Sequence, residues 1–148
     1  MATAWPSVVG WLLTNLPNLS GWSSVVVIDG PPVEAILPDD YVTVGFASDG
    51  TTGSLTLDPD PDGFSIVEVG DVRCELACVT EQVDLATMRA RVFGLFDALA
   101  AAVKADRRLG NVLSPQGFAT LTVDPQVIVN ATGTSAALVF SLNYTSIT

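Results

Sequence analysis

Histidine is absent from these 148 residues, and positive charge is scarce: six lysines and arginines stand against sixteen carboxylates, a formal charge of −10. Without histidine the usual general base is missing. No Gly-x-Ser-x-Gly elbow, phosphate-cradling glycine loop or Cys-His pair replaces it, so no catalytic site and no cofactor are expected. Too few cations are present to neutralise a phosphate backbone, which excludes a protein that grips nucleic acid. The acidic segments either keep the protein in solution or line a surface that repels a polyanion.

Cysteine is limited to Cys74 and Cys78. Both fall in Val72 to Val79, where Val72, Cys74, Leu76 and Cys78 alternate with Arg73, Glu75 and Ala77 in the period of a strand. Both thiols then face one side, with Cα atoms roughly 13 Å apart, too far for a disulfide. They read as reduced core cysteines, compatible with a reducing compartment, and two thiols without histidine make a poor zinc site. Long apolar runs are missing too, so no membrane span is expected. The amino terminus has apolar residues but no basic segment before them, and Pro6 interrupts it, so a secretion signal is not expected and the reading is a soluble protein made in the cytoplasm.

What charge there is has been sorted along the chain. All six basic residues lie between Arg73 and Arg108, the first 72 residues carry ten carboxylates and no cation, and the last forty carry Asp124 alone. At 49% hydrophobic and 15% charged, the chain is globular in composition, with apolar surface that neighbours could cover. Its length predicts a single domain over 1–148, large enough for a core without staples.

The apolar set Trp5, Val8, Val9, Leu12, Leu13 and Leu16 predicts an amphipathic first helix, capped by Thr3, tolerant of Pro6 and stopped at Pro17. Val25 to Ile28 and Tyr41 to Ala47 read as strands. Residues 48–63, rich in Gly, Thr, Asp and Pro, predict a long projecting acidic loop with Ser54 to Leu57 extended at its edge. Phe64 to Val69 and Val72 to Val79 read as one long strand interrupted by a bulge at Gly70. Leu85, Met88, Val92, Leu95, Phe96, Leu99 and Val103 then follow helical spacing, which predicts a helix from an Asp84 cap to about Arg108 with a stop at Leu109 and Gly110. Strands at Phe118 to Val123, Val127 to Val129 and Ala137 to Tyr144 close the chain, with Asp124 and Pro125 breaking the first pair apart. The order gives an α+β fold: a mainly antiparallel sheet, a short N-terminal helix and one long central helix packed on one face.

Two features invite function. Asp58, Asp60, Asp62 and Gly63 copy the first half of a calcium loop, but Val69 occupies the twelfth position where a bidentate glutamate belongs, so the motif reads as an acidic turn and no metal site is assigned. Arg89, Arg91, Lys104, Arg107 and Arg108 decorate the long helix and its end. Cations there favour the helix macrodipole, and they are equally a candidate surface for carboxylates of another subunit. Gly94, Ala98, Ala101 and Ala105 add a line of small residues where a second backbone could come close. Trp5, Trp11 and Trp22 are either core or interface anchors.

Taken with its motifs, the chain resembles the tail terminator family of long-tailed bacteriophages. The likeness rests on the amphipathic first helix, the strand closed by Asp29-Gly30-Pro31-Pro32, and Asp40-Tyr41-Val42-Thr43-Val44-Gly45-Phe46. It continues through Arg73-Cys74-Glu75-Leu76-Ala77-Cys78, the helix from Met88-Arg89-Ala90-Arg91-Val92-Phe93 to Asp106-Arg107-Arg108-Leu109-Gly110, and the paired terminal strands. The resemblance implies a virion protein of the tail and neck, assembled in the host cytoplasm. Its subunits would form a six-fold ring that caps the tail tube protein, stops polymerisation, meets a head-tail connector or head closure protein, and lets DNA pass through the lumen without specific binding. On that view Asp58, Asp60 and Asp62 would face a partner ring or the lumen, and the basic helix a neighbouring subunit. A tail tube or head closure protein is the alternative within the class. A small acidic module taking a divalent cation is the alternative outside it, with a carboxylate hydrolase behind.

Overall fold

A computed structural model describes residues 3–33, 40–59, 63–79, 85–129 and 135–147. It shows the α+β architecture: a six-stranded mixed sheet with helices on one face. The strands are β1 (Val26–Asp29), β2 (Asp40–Val44), β3 (Gly53–Pro59), β4 (Ile66–Val79), β5 (Phe118–Val129) and β6 (Ser135–Ile147). The helices are α1 (Trp5–Asn15) and α2 (Leu85–Ala105). The sheet runs β1-β2-β4-β6-β5, with β3 also pairing β4; β1 and β2 are parallel and all other pairs antiparallel.

The long strand β4 organises everything else, because it pairs with β6 along its whole length and with β2 and β3 in succession on its other edge. Its even-numbered residues Val72, Cys74, Leu76 and Cys78 are buried, as are Leu138, Phe140, Leu142 and Tyr144 of β6. Onto this face pack Val8 and Leu12 of α1, Leu16 just after it, and Met88, Val92, Phe96, Leu99 and Val103 of α2. Each such large side chain contributes about 1.5–3 kcal/mol by leaving water. Trp22 belongs to this core at 1% exposure, its indole N–H donating to Leu95 O at 2.9 Å and tying the α1 exit to α2. Trp5 and Trp11 are half-buried against the same core.

Several expectations change. No bulge occurs at Gly70: β4 and β6 stay in register from Val67↔Ile147 to Val79↔Ser135, and Gly70 opposes Tyr144. The glycine makes room for the tyrosine ring, since a Cβ there would lie 2.7 Å from the Tyr144 hydroxyl and 2.8 Å from Cζ. The projecting loop is largely strand, because β3 hydrogen-bonds to the first half of β4 while leaving all seven of its side chains exposed. The first helix is not capped by Thr3; Ala4 holds the cap position, and its N–H donates to the Glu68 carboxylate of β4 at 2.9 and 3.0 Å. Helix α2 stops at Ala105, earlier than expected, and the chain turns through left-handed Leu109, Gly110 and Asn111. Asp106 secures that turn by accepting the Gly110 N–H at 2.7 Å. The break at Asp124-Pro125 is present as a register shift within β5 between Val123 and Val127. The Asp84 cap lies outside the described residues, as do Gly133 and Thr134 before β6.

Candidate subunit interface

Helix α2 lays Met88, Val92, Leu99 and Val103 on the sheet, so the residues between them point outward. Its five candidate cations divide into two groups. Arg89 and Lys104 are exposed on one flank, about 60° apart around the axis and roughly 22 Å apart along it. Arg107 is exposed in the turn after α2. None of these three makes an ion pair among the described residues.

Arg91 and Arg108 work inside the fold. Arg91 lies about 160° around the axis from Arg89 and pairs with Asp40 at the start of β2. The Asp40 side chain is only 5% exposed and, among the described residues, its Oδ1 has no hydrogen-bond partner, so the arginine is the main compensation for this buried carboxylate. Arg108 is half-buried and donates through Nε to Ser114 O and through Nη2 to Leu113 O, both at 3.2 Å, which closes the turn onto β5.

Among the small residues, Gly94, Ala101 and Ala105 are exposed, whereas Ala98 packs against the core. Exposed Ala90 joins the outward line. A Cβ at Gly94 would meet nothing within 4 Å. Glycine in an exposed helix interior costs about 1 kcal/mol relative to alanine, and nothing within the fold requires it here.

The opposite side of the subunit is the outward face of the sheet. Asp58 lies there, exposed on β3, while Asp60 and Asp62 fall outside the described residues. Arg73 of β4 is the centre of its charge cluster, with Asp49 at 3.7 Å and Asp124 at 3.8 Å. The hydroxyl and N–H of Thr51, with Arg73 nearby, hold the Asp49 carboxyl below its ordinary pKa. Glu75 accepts the Ser48 hydroxyl at 2.6 Å and pins the β2–β3 turn over the sheet. Burial, then the Glu75 charge, raises the neighbouring Tyr41 phenol.

The interior holds one further carboxylate that composition alone did not single out. Glu68 is 3% exposed and accepts the Tyr144 hydroxyl at 2.6 Å as well as the Ala4 N–H. Parity was the available signal: position 68 shares the even register of Val72, Cys74 and Leu76, which points inward. Burial, then the hydrogen bond and charge of Glu68, raises the Tyr144 phenol far above its ordinary value. Burial likewise raises both Cys74 and Cys78 to about 12, with the Asp40 charge adding to the second. These thiols are protonated, unreactive core groups.

Among the described residues no group of three or more acidic or thiol side chains is placed to hold a metal, and no helix is long and apolar enough to cross a membrane. No protein-family model and no curated protein matches the chain.

Proposed function

We propose that this protein is a structural subunit of a phage tail, a tail terminator whose copies form a ring that caps the tail tube, stops its growth and joins the tail to the neck. The observation that carries this reading is that Arg89, Lys104 and Arg107 are exposed and, among the described residues, make no ion pair, in a chain of net charge −10. In a monomer with so many carboxylates, strong Arg–carboxylate pairing would be expected within the fold, as Arg91 does with Asp40. Leaving three cations outward, beside a helix line of Gly and Ala, suits contact with a second subunit. The acidic balance suits a ring whose lumen passes DNA, because carboxylates do not retain a polyanion. The sequence likeness supplies the identity of the ring, and the surface supplies a reason for a ring to form.

The reaction to test is capping. Added to polymerising tail tube subunits, the protein should halt elongation and leave short tubes with a ring density at one end in negative stain. Tubes that grow equally long with and without it would remove the terminator reading. Tubes formed by this protein alone would assign it to the tube.

A further inference from the structure

Among the described residues, the outward sheet face is acidic and the outward side of α2, with the turn after it, presents three exposed cations. On the outward sheet face, Asp58 and Asp71 lie on the register rows facing away from the helices, Glu75 shares their parity, and Asp49 and Asp124 reach the same face through Arg73. Five carboxylates there meet one arginine. On the outward side of α2 and the turn after it, Arg89, Lys104 and Arg107 are exposed, while Arg91 is matched by Asp40 and Arg108 by the carbonyls of Leu113 and Ser114. Between the sheet carboxylates lie uncharged side chains, among them exposed Thr120, Thr122, Val69 and Phe118. A helix can lie on such a surface as α2 lies on the other face of the same sheet.

We infer that α2 of one copy docks across the outward face of β3, β4, β6 and β5 of the next copy, with Arg89, Lys104 and Arg107 meeting Asp58, Asp71 and their neighbours. This deepens the ring reading by naming the two surfaces that meet, and rests on it only in taking a second copy as the occupant. Charge complementarity selects that occupant, because the exposed cations Arg89, Lys104 and Arg107 and the acidic sheet face are opposite in sign and belong to the same chain. The outward line of Ala90, Gly94, Ala101 and Ala105 lets the helix backbone approach the sheet closely, which gives Gly94 a use that its own fold does not. Two different surfaces of one subunit make a head-to-tail contact, which closes into a ring when the rotation between copies permits.

Charge reversal in pairs tests the contact. The helix variant carries Arg89→Glu, Lys104→Glu and Arg107→Glu; the sheet variant carries Asp58→Lys and Asp71→Lys, with Asp58→Lys alone as the version that leaves the Asp71–Ser54 hydrogen bond intact. Circular dichroism confirms folding, and light scattering reads assembly. Each variant alone should self-associate at least about tenfold more weakly than the wild type, since each brings like charges together. An equimolar mixture should recover assembly, because altered helix then meets altered sheet and native helix meets native sheet in alternation. Variants that assemble normally alone, or a mixture that stays dissociated while the wild type forms rings, would overturn this contact and leave the ring standing. A wild type that stays monomeric would overturn both.

Discussion

The Tyr144 hydroxyl donates to the Glu68 carboxylate at 2.6 Å, and the same carboxylate accepts the Ala4 N–H, so one buried acid joins β6, β4 and the start of α1. A negative charge at a helix N-terminus is favoured by the macrodipole and satisfies a donor that Ala4 cannot cap itself. Replacing Glu68 with Ala strands both donors and should cost about 2–4 kcal/mol in urea unfolding. Glu68→Gln keeps an acceptor but sets an amide N–H against one of the two donors, so it should cost about half as much. Equal costs for the two variants would show that the carboxylate's charge and second acceptor oxygen, which both variants lose, set the penalty rather than side-chain volume.

Gly70 and Tyr144 are a matched pair. A methyl group at position 70 would overlap the ring, including Cζ at 2.8 Å and Cε1 at 2.9 Å, so Gly70→Ala should destabilise by about 1–3 kcal/mol. Because the hydroxyl and the ring edge together cause the overlap, Tyr144→Phe should give partial relief by removing the nearest atom and Tyr144→Leu should give more. The readout is a double-mutant cycle, in which coupling near zero for the leucine variant would contradict a steric origin.

Arg89 and Arg91 separate interface from fold. Arg91→Ala leaves Asp40 buried without its cation and should cost about 1–3 kcal/mol, reduced from a fully buried pair because the arginine is 41% exposed. Arg89→Ala, on an exposed site with no ion pair among the described residues, should stay within about 0.5 kcal/mol in thermal unfolding yet weaken self-association. Asp40→Asn should lower the cost of Arg91→Ala. A stable Arg91→Ala protein would mean that the Asp40 charge is met in another way.

Alkaline pH should unfold the protein in a defined window. Cys74 and Cys78 are raised from 9.0 to about 12 by burial, so folding favours their protonated forms. The stability this represents is fully present below pH 9, falls as the unfolded thiols ionise, and is lost as pH rises towards 12. Tyr144, raised in the same direction, adds to the loss. Native protein at pH 8 should accordingly resist a thiol reagent that labels both cysteines in denaturant. Rapid native labelling would show that the core opens.

What the sequence made legible follows the strength of local periodicity. Parity alone placed Cys74 and Cys78 on one side of β4, helical spacing located α2, and Pro125 marked the shift in β5. Strand β3 was legible only in part, as the extended stretch Ser54 to Leu57, because the Gly, Asp and Pro residues around that stretch read as loop. The glycine at 110 announced the left-handed stop at Leu109 and Gly110, but helix α2 already ends at Ala105 and reaches that stop through a turn. The Arg91–Asp40 pair spans 51 residues, and the Glu68–Tyr144 bond spans 76. At such distances a sequence shows the partners but not the pairing, so five cations that look alike in sequence prove to have different duties.

Assembly decides the central claim, and the most direct measurement is the mass of the purified protein by multi-angle light scattering across a concentration series, with negative-stain images of the same fractions. The account predicts a discrete species of about six subunits, seen as a ring, whose dissociation increases with salt because charge contributes to its contacts. A mass of one subunit, 15.4 kDa, at the highest concentration reached would contradict it.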